Sequence, residues 1–198
     1  MDQIKKADEE LLEKQFKEMA GKLTGKGSAL ASQRIQKDYV GLLSSSEFKE
    51  IIEANFYKDN IYVWRVKFDL ERYEISPALK ADFQSLAKNL NRPQKELRLE
   101  YEVIFPENYP HAPPFIRVVF PRFAFRTGHV TVGGSICMES LTPSGWSSAR
   151  SLESYLVEII SLINGGEARL DVHNLVPYSL NEAKDAFNRV ARDHGWLK

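Results

Sequence analysis

One cysteine stands in 198 residues, at position 137, so the chain cannot close an internal disulfide. Net charge is also missing: 27 basic side chains balance 27 acidic ones, which gives no reason to expect a nucleic acid or a charged membrane surface as partner. No apolar run approaches the roughly 18 residues of a membrane span. The four histidines, at 111, 129, 173 and 194, are scattered, and with one cysteine they offer no metal-ligand spacing. There is no P-loop or dinucleotide fingerprint, and the pair Gly133-Gly134 is too short to cradle a phosphate. The segment Met1-Asp2-Gln3-Ile4-Lys5-Lys6 lacks the apolar stretch of a secretory signal; with the unpaired thiol, this sets the expectation of a reducing compartment, cytosol or nucleus.

What is present is an ordinary globular composition, 43% hydrophobic and 11% aromatic, at a length that suits one well-buried core. Residues 2 to 20 are rich in Lys and Glu, with Leu12, Phe16, Met19 and Leu23 spaced for one face of a helix. Gly21, Gly25 and Gly27 then break the pattern and read as a linker, which makes the first helix an appendage. A second helical stripe, Ala31, Ile35, Tyr39 and Leu42, follows Ser28 as N-cap.

From Phe48 to Leu70 the period changes to two. Ile52, Ala54 and Phe56, the turn signal Lys58-Asp59-Asn60, and then Tyr62, Trp64, Val66 and Phe68 predict a hairpin. Ser76-Pro77 opens a helix carrying Leu79, Phe83, Leu86 and Leu90, which stops at Asn91-Arg92-Pro93. Alternation from Leu97 to Phe105 predicts a third strand, and Phe115–Phe120 a fourth. The proline-rich Tyr109-Pro110-His111-Ala112-Pro113-Pro114 between them predicts a stiff corner outside the ladder. Leu152, Leu156, Ile159, Ile160 and Ile163 mark a central buried helix ending at Asn164-Gly165-Gly166, and Leu180 to His194 a last amphipathic one closed by Gly195. Helix, meandering strands, then helices give an α+β fold with an antiparallel sheet.

Cys137 lies in the densest run of small and apolar residues, Gly133-Gly134-Ser135-Ile136-Cys137-Met138. A free cysteine in such a run is either a buried filler or a nucleophile. The two glycines favour access, because they allow a sharp turn and put no bulk beside the sulfur.

Tyr109-Pro110-x-x-Pro113-Pro114, Gly133-Gly134-Ser135-Ile136-Cys137-Met138-Glu139-x-Leu141, Trp146-Ser147 and Leu175-Val176-Pro177 resemble, in order and spacing, the ubiquitin-conjugating enzyme family. The likeness extends to Arg34-Ile35-Gln36-Lys37, to Asn60-Ile61-Tyr62-x-Trp64-x-Val66 and to Arg189-Val190-Ala191-Arg192, covering about residues 29–198. Residues 138–149, Arg117-Val118-Val119 and the helical insertion near 76–93 look most like the divergent Q-type branch. The resemblance implies the ubiquitin-conjugating (UBC) fold, a four-stranded antiparallel meander with flanking helices, plus an extra N-terminal helix. It divides the chain into a helical extension and linker, 1–27, and a catalytic domain, 28–198.

By the same resemblance, Cys137 takes ubiquitin or a ubiquitin-like modifier as a thioester and passes it to a lysine amine or a ligase thiol. The implied partners are the modifier, an activating enzyme, a ligase and a protein substrate. No cofactor is implied, since ATP is consumed upstream by the activating enzyme. The family places an asparagine, in a His-Pro-Asn signature, eight residues before the cysteine; this chain reads Thr127-Gly128-His129, so His129 stands there. A neutral imidazole can donate from one nitrogen, so His129 is either an oxyanion or loop-ordering donor or a residue that pins the loop through its backbone. The change weakens the case for lysine aminolysis by the family's usual geometry more than for thiol-to-thiol transfer.

Gly133 and Gly134 are expected to leave room for the modifier's tail, and Ser135 to bond the thiol or the tail, or simply to fill a turn. Glu139 and Asp171 are expected in the groove, to deprotonate or orient an incoming lysine, and His173 at the position of the family's acidic gate, or else each on the solvated surface. Partner docking falls on Arg34 and Lys37 of the second helix, His111 at the corner, and Ser148 and Ala149 after Trp146. His111 replaces the family's apolar side chain, and Ser147-Ser148-Ala149 its Ser-Pro-Ala. Trp146 itself is read as core packing. Two rival readings remain: a ubiquitin-binding module of the same fold without transfer activity, and an unrelated cysteine hydrolase needing a histidine base held by an acid or amide.

Overall fold

Period-two alternation builds the sheet, and a two-residue turn starts it. In the computed structural model, which describes residues 2–20, 27–70 and 72–196, strand β1 (Ile52–Tyr57) pairs antiparallel with β2 (Asn60–Phe68). Lys58 and Asp59 both take positive φ, 51° and 54°, the pair of left-handed residues that matches a hairpin to the strands' twist. Asn60, read as turn, already opposes Tyr57 in the ladder. Strands β3 (Leu99–Ile104) and β4 (Phe115–Phe120) complete a meander in the order β1-β2-β3-β4.

One face of the sheet is apolar: Ala54, Trp64, Val66, Phe68, Leu99, Tyr101, Val103, Ile116 and Val118 are buried there. Across the other face runs a register row of charge, Arg65, Glu102 and Arg117. Glu102 accepts from Arg65 at 2.9 Å and from Arg117 at 2.8 Å, so the buried carboxylate is compensated from both sides.

Serines open four of the five helices among the described residues. Ser28 caps α2 (Ala29–Ser44), Ser76 caps α3 (Pro77–Leu90), Ser151 caps α4 (Leu152–Gly165), and Ser179 forms a reciprocal capping box with Glu182 on α5 (Leu180–Asp193). Helix α4 buries Leu152, Tyr155, Leu156, Ile159, Ile160 and Ile163, the stripe that its spacing predicts with Tyr155 added. On α5 the inward face is Ala183, Ala186 and Ala191, while Phe187 is half-buried and meets Phe115 edge-on at 5.6 Å.

The first helix, α1 (Asp2–Ala20), is seated on the domain by one aromatic anchor. Phe16 is 2% exposed, its ring 5.6 Å from that of Tyr39 on α2 and 5.5 Å from Phe56 on β1. Leu12 is half-buried. The side chain of Met19, and Leu23 with the expected linker glycines 21 and 25, lie outside the described residues.

Candidate active site

After β4 the chain leaves the sheet and returns through a tight turn that is itself hydrogen-bonded to β4. Val130 bridges Ile136, and Arg117 bridges Ser135. Inside the turn, Thr131 N–H donates to Ser135 O at 2.9 Å and Gly134 N–H to Thr131 O at 2.9 Å, while Val118 N–H reaches Gly134 O at 2.7 Å. Immediately after it, Cys137 N–H donates to His129 O at 2.8 Å. The two positions set eight residues apart are therefore side by side.

Cys137 is half-buried, and that burial pushes its thiol above the ordinary range. Buried Met138 and a short 3-10 turn, Glu139–Leu141, follow, closed where Thr142 N–H and Oγ1–H both bond Glu139 O, at 2.8 and 2.7 Å. Glu139 is exposed. His129 is exposed and held in the left-handed region with φ of 55°. The preceding Gly128, φ 61°, donates its N–H to Gly166 O at 2.9 Å, just beyond α4.

Two expectations need correcting, those for Gly133 with Gly134 and for Arg34; for Ser135 the turn-filling alternative is the one that fits. The space beside Gly133 and Gly134 is filled. A Cβ on Gly133 would run into Glu182 O and lie 2.8 Å from Ala186 Cβ on α5. One on Gly134, whose φ is 92°, would lie 2.6 Å from the Tyr178 ring. These glycines let the turn pack against α5 and Tyr178 rather than lining an opening on that side. Ser135 is fully buried and its hydroxyl is 2.7 Å from Thr131 Oγ1, so it is committed inside the turn. Arg34 is committed as well: it donates to Asp38 Oδ2 at 2.9 Å, to Ser148 O at 2.6 Å and to Arg150 O.

Asp171 and His173 lie on the segment behind α4. Asp171 is half-buried, its N–H donating to Arg122 O at 2.9 Å, and His173 is exposed. Among the docking candidates, Lys37, His111, Ser148 and Ala149 are exposed, and Lys37 lines a groove of about 710 Å³ bounded by α1, α2 and the start of α4. Trp146 packs as its size suggests. It stacks on Tyr155 at 4.5 Å and donates from Nε1 to Pro110 O at 2.7 Å, tying the proline corner to the loop before α4. Among the described residues no three His, Cys, Asp or Glu side chains stand close enough to hold a metal ion.

Besides Glu102, two buried carboxylates escape the sequence reading. Asp38, 4% exposed, accepts from Tyr109 Oη at 2.6 Å and from Leu152 N–H at 3.2 Å, joining α2, the proline corner and the head of α4. Asp82 on α3 takes Arg169 at 2.7 and 2.8 Å and Leu170 N–H at 2.9 Å, and the hydrogen bond from Arg169 holds its carboxyl below the usual range. Each lies on the apolar face of its helix, beside Tyr39 and Phe83 respectively, and a charge in that register is the signal.

The sequence profile described as ubiquitin-conjugating enzyme matches residues 92–194. Ubiquitin-conjugating enzyme E2 25 of Caenorhabditis elegans is 34% identical over 177 residues, 86% of this chain and 44% of that protein. Human ubiquitin-conjugating enzyme E2 Q1 is 34% identical over 175 residues, 86% of this chain and 40% of that protein. The chain thus spans less than half the length of these two relatives. A shorter human relative, a ubiquitin-conjugating enzyme named as Q-like protein 1, is 36% identical over 155 residues, 74% of this chain and 87% of that protein. A crystal structure of a ubiquitin-conjugating enzyme E2 from Plasmodium falciparum shares the fold, with TM-score 0.52 and 20% identity over 73% of this chain and 91% of that one. The chain belongs to the ubiquitin-conjugating enzyme family, in its Q-type branch.

Proposed function

We propose that this chain accepts ubiquitin, or a ubiquitin-like modifier, as a thioester on Cys137 and passes it to a lysine amine or to a ligase thiol. The observation that carries the reading is the placement of Cys137: the only thiol in the chain is half-exposed where a rigid turn ends, and its own N–H fixes it beside His129 at 2.8 Å.

In the first step Cys137 Sγ attacks the carbonyl carbon of the modifier's terminal glycine, and the thiolate of the activating enzyme leaves. In the second step a neutral amine attacks the same carbon. The C–N bond forms, the C–S bond to Cys137 breaks, and the amine gives its proton to solvent or to a nearby base. Because burial raises the Cys137 thiol, it rests protonated at neutral pH, and the proton it loses as it attacks is taken up by the departing thiolate of the activating enzyme. Glu139 and Asp171 are the side chains proposed to deprotonate or orient the incoming amine, and His173 is proposed to line the groove.

His129 is the proposed donor to the tetrahedral oxygen. Such a donor lowers the barrier by about 3–4 kcal/mol in a hydrolase that uses the same kind of intermediate. Its exposure supports that role, while its backbone carbonyl, which accepts from Cys137 N–H, fits the alternative in which it pins the loop. For partners, Lys37, His111, Ser148 and Ala149 are the proposed docking contacts, with Arg34 acting behind them by holding Ser148 and Arg150 in place.

Incubation with activating enzyme, ATP and ubiquitin tests the proposal. The expected result is a reductant-sensitive adduct that turns reductant-resistant in Cys137→Ser and is absent in Cys137→Ala. A wild-type chain that stays uncharged with ubiquitin and with related modifiers contradicts it and favours a binding module of the same fold.

A further inference from the structure

His129 sits on a platform built by elements distant in sequence. The Cβ that Gly166 lacks would stand 2.8 Å from His129 Cδ2 and 2.7 Å from Leu162 O, so the imidazole lies over bare backbone at the end of α4. Gly166 has φ of −88°, an angle open to any residue, and it is the space that demands glycine. Its carbonyl takes Gly128 N–H at 2.9 Å. Three residues on, Arg169 clamps the same loop: Arg169 O accepts from Ala124 N–H at 2.8 Å, and Arg169 N–H donates to Thr127 Oγ1 at 3.2 Å, while the Thr127 hydroxyl donates to Ala124 O at 2.9 Å, with Arg169 O farther off at 3.2 Å.

What holds Arg169 is α3. The Asp82 carboxylate grips its guanidinium through two hydrogen bonds, at 2.7 and 2.8 Å, and takes Leu170 N–H at 2.9 Å. Farther along α3, Asn89 Nδ2 donates to Val172 O at 2.8 Å. Helix α3 thus braces the segment 169–172, and this segment braces the loop that ends in His129.

We propose that Asp82, through Arg169 and Thr127, and Gly166, through the seat beneath the ring, are positioning residues that set His129 for transfer from Cys137. The proposal rests on the reading of His129 as the oxyanion donor. Neither residue touches the reacting atoms. Each acts by fixing where the imidazole stands, and a displacement of about 1 Å at such a donor is enough to slow a reaction roughly 100-fold.

The test uses the full chain charged with ubiquitin and follows loading and single-turnover discharge to free lysine separately. Asp82→Ala and Thr127→Val are expected to slow discharge by about 10–100-fold while loading changes little. Thr127→Ser restores discharge, because the hydroxyl is what the clamp uses. In a His129→Ala background, Asp82→Ala adds nothing to the discharge defect. Thr127→Val keeps shape and removes only the hydroxyl, so it decides the matter if Asp82→Ala does not fold. Additive effects in the double variant, or equal slowing of loading and discharge, overturn the positioning role and leave the donor reading intact. Discharge unchanged in His129→Ala itself removes the donor reading, and this inference with it.

Discussion

The Asp38 carboxylate on α2 lies 2.6 Å from the hydroxyl of Tyr109, whose side chain is fully buried at the proline corner. The same carboxylate takes Arg34 at 2.9 Å and Leu152 N–H at 3.2 Å, so three separate pieces of chain converge on one buried acid. Removing it strands a buried hydroxyl and leaves the Arg34 guanidinium without its counter-charge, on two backbone carbonyls alone. Asp38→Ala is therefore expected to cost about 3–5 kcal/mol in chemical denaturation. A loss below about 1 kcal/mol would show that the network does not hold the corner.

Gly133 and Gly134 separate two accounts of the turn. If they are there for packing, Gly133→Ala and Gly134→Ala each drive a Cβ into α5 or the Tyr178 ring and destabilise the domain by about 1–3 kcal/mol, measured by denaturation. Unchanged stability with slower loading would instead restore the reading in which they line a channel for the tail.

A chain with one cysteine reports on that thiol cleanly. Burial raises the Cys137 pKa, so the thiolate fraction at a given pH is lower than for a free thiol. Alkylation by iodoacetamide should climb with pH and reach its half-maximal rate above the roughly 8.5 of an ordinary cysteine. A midpoint below that value would mean an activated thiolate in the resting protein.

Phe16 is the only buried side chain on α1 among the described residues. Phe16→Ala should free the helix without unfolding the domain: amide protection falls along α1 and stays unchanged in the sheet. Loss of protection throughout would mean that α1 is part of one cooperative unit with the core.

The Asp82 carboxyl is held low chiefly by its hydrogen bond from Arg169. A depressed carboxyl pKa contributes stability that is present above the unfolded value, roughly pH 4, and is lost as pH falls through the folded value. Asp82→Ala should then melt below the wild type at neutral pH, with the gap narrowing as the solution is acidified through the folded pKa. A gap that does not change with pH would assign the effect to packing alone.

Most of the architecture is visible in spacing. Ile35, Tyr39 and Leu42, or Leu156, Ile159 and Ile163, recur at helical intervals because one face must be buried, and all six are. The hairpin is legible from alternation and from the two residues, Lys58 and Asp59, that take positive φ. What spacing does not convey is which surface fills a gap. Gly133 and Gly134 look like open space in sequence, yet their partners, Glu182, Ala186 and Tyr178, lie far downstream on and beside α5. Arg34 carries the features of a docking cation, and only the fold brings the carbonyls of Ser148 and Arg150 to it. Asp38 and Asp82 could have been flagged as charges on apolar helix faces, though their partners could not.

The central claim is that Cys137 forms the thioester, and intact mass spectrometry of the protein after incubation with activating enzyme, ATP and ubiquitin tests it most directly. The account predicts a gain of one ubiquitin less one water, reversed by hydroxylamine and located on Cys137 by digestion. A mass that never changes, or a ubiquitin adduct that forms equally well on Cys137→Ala, would contradict it.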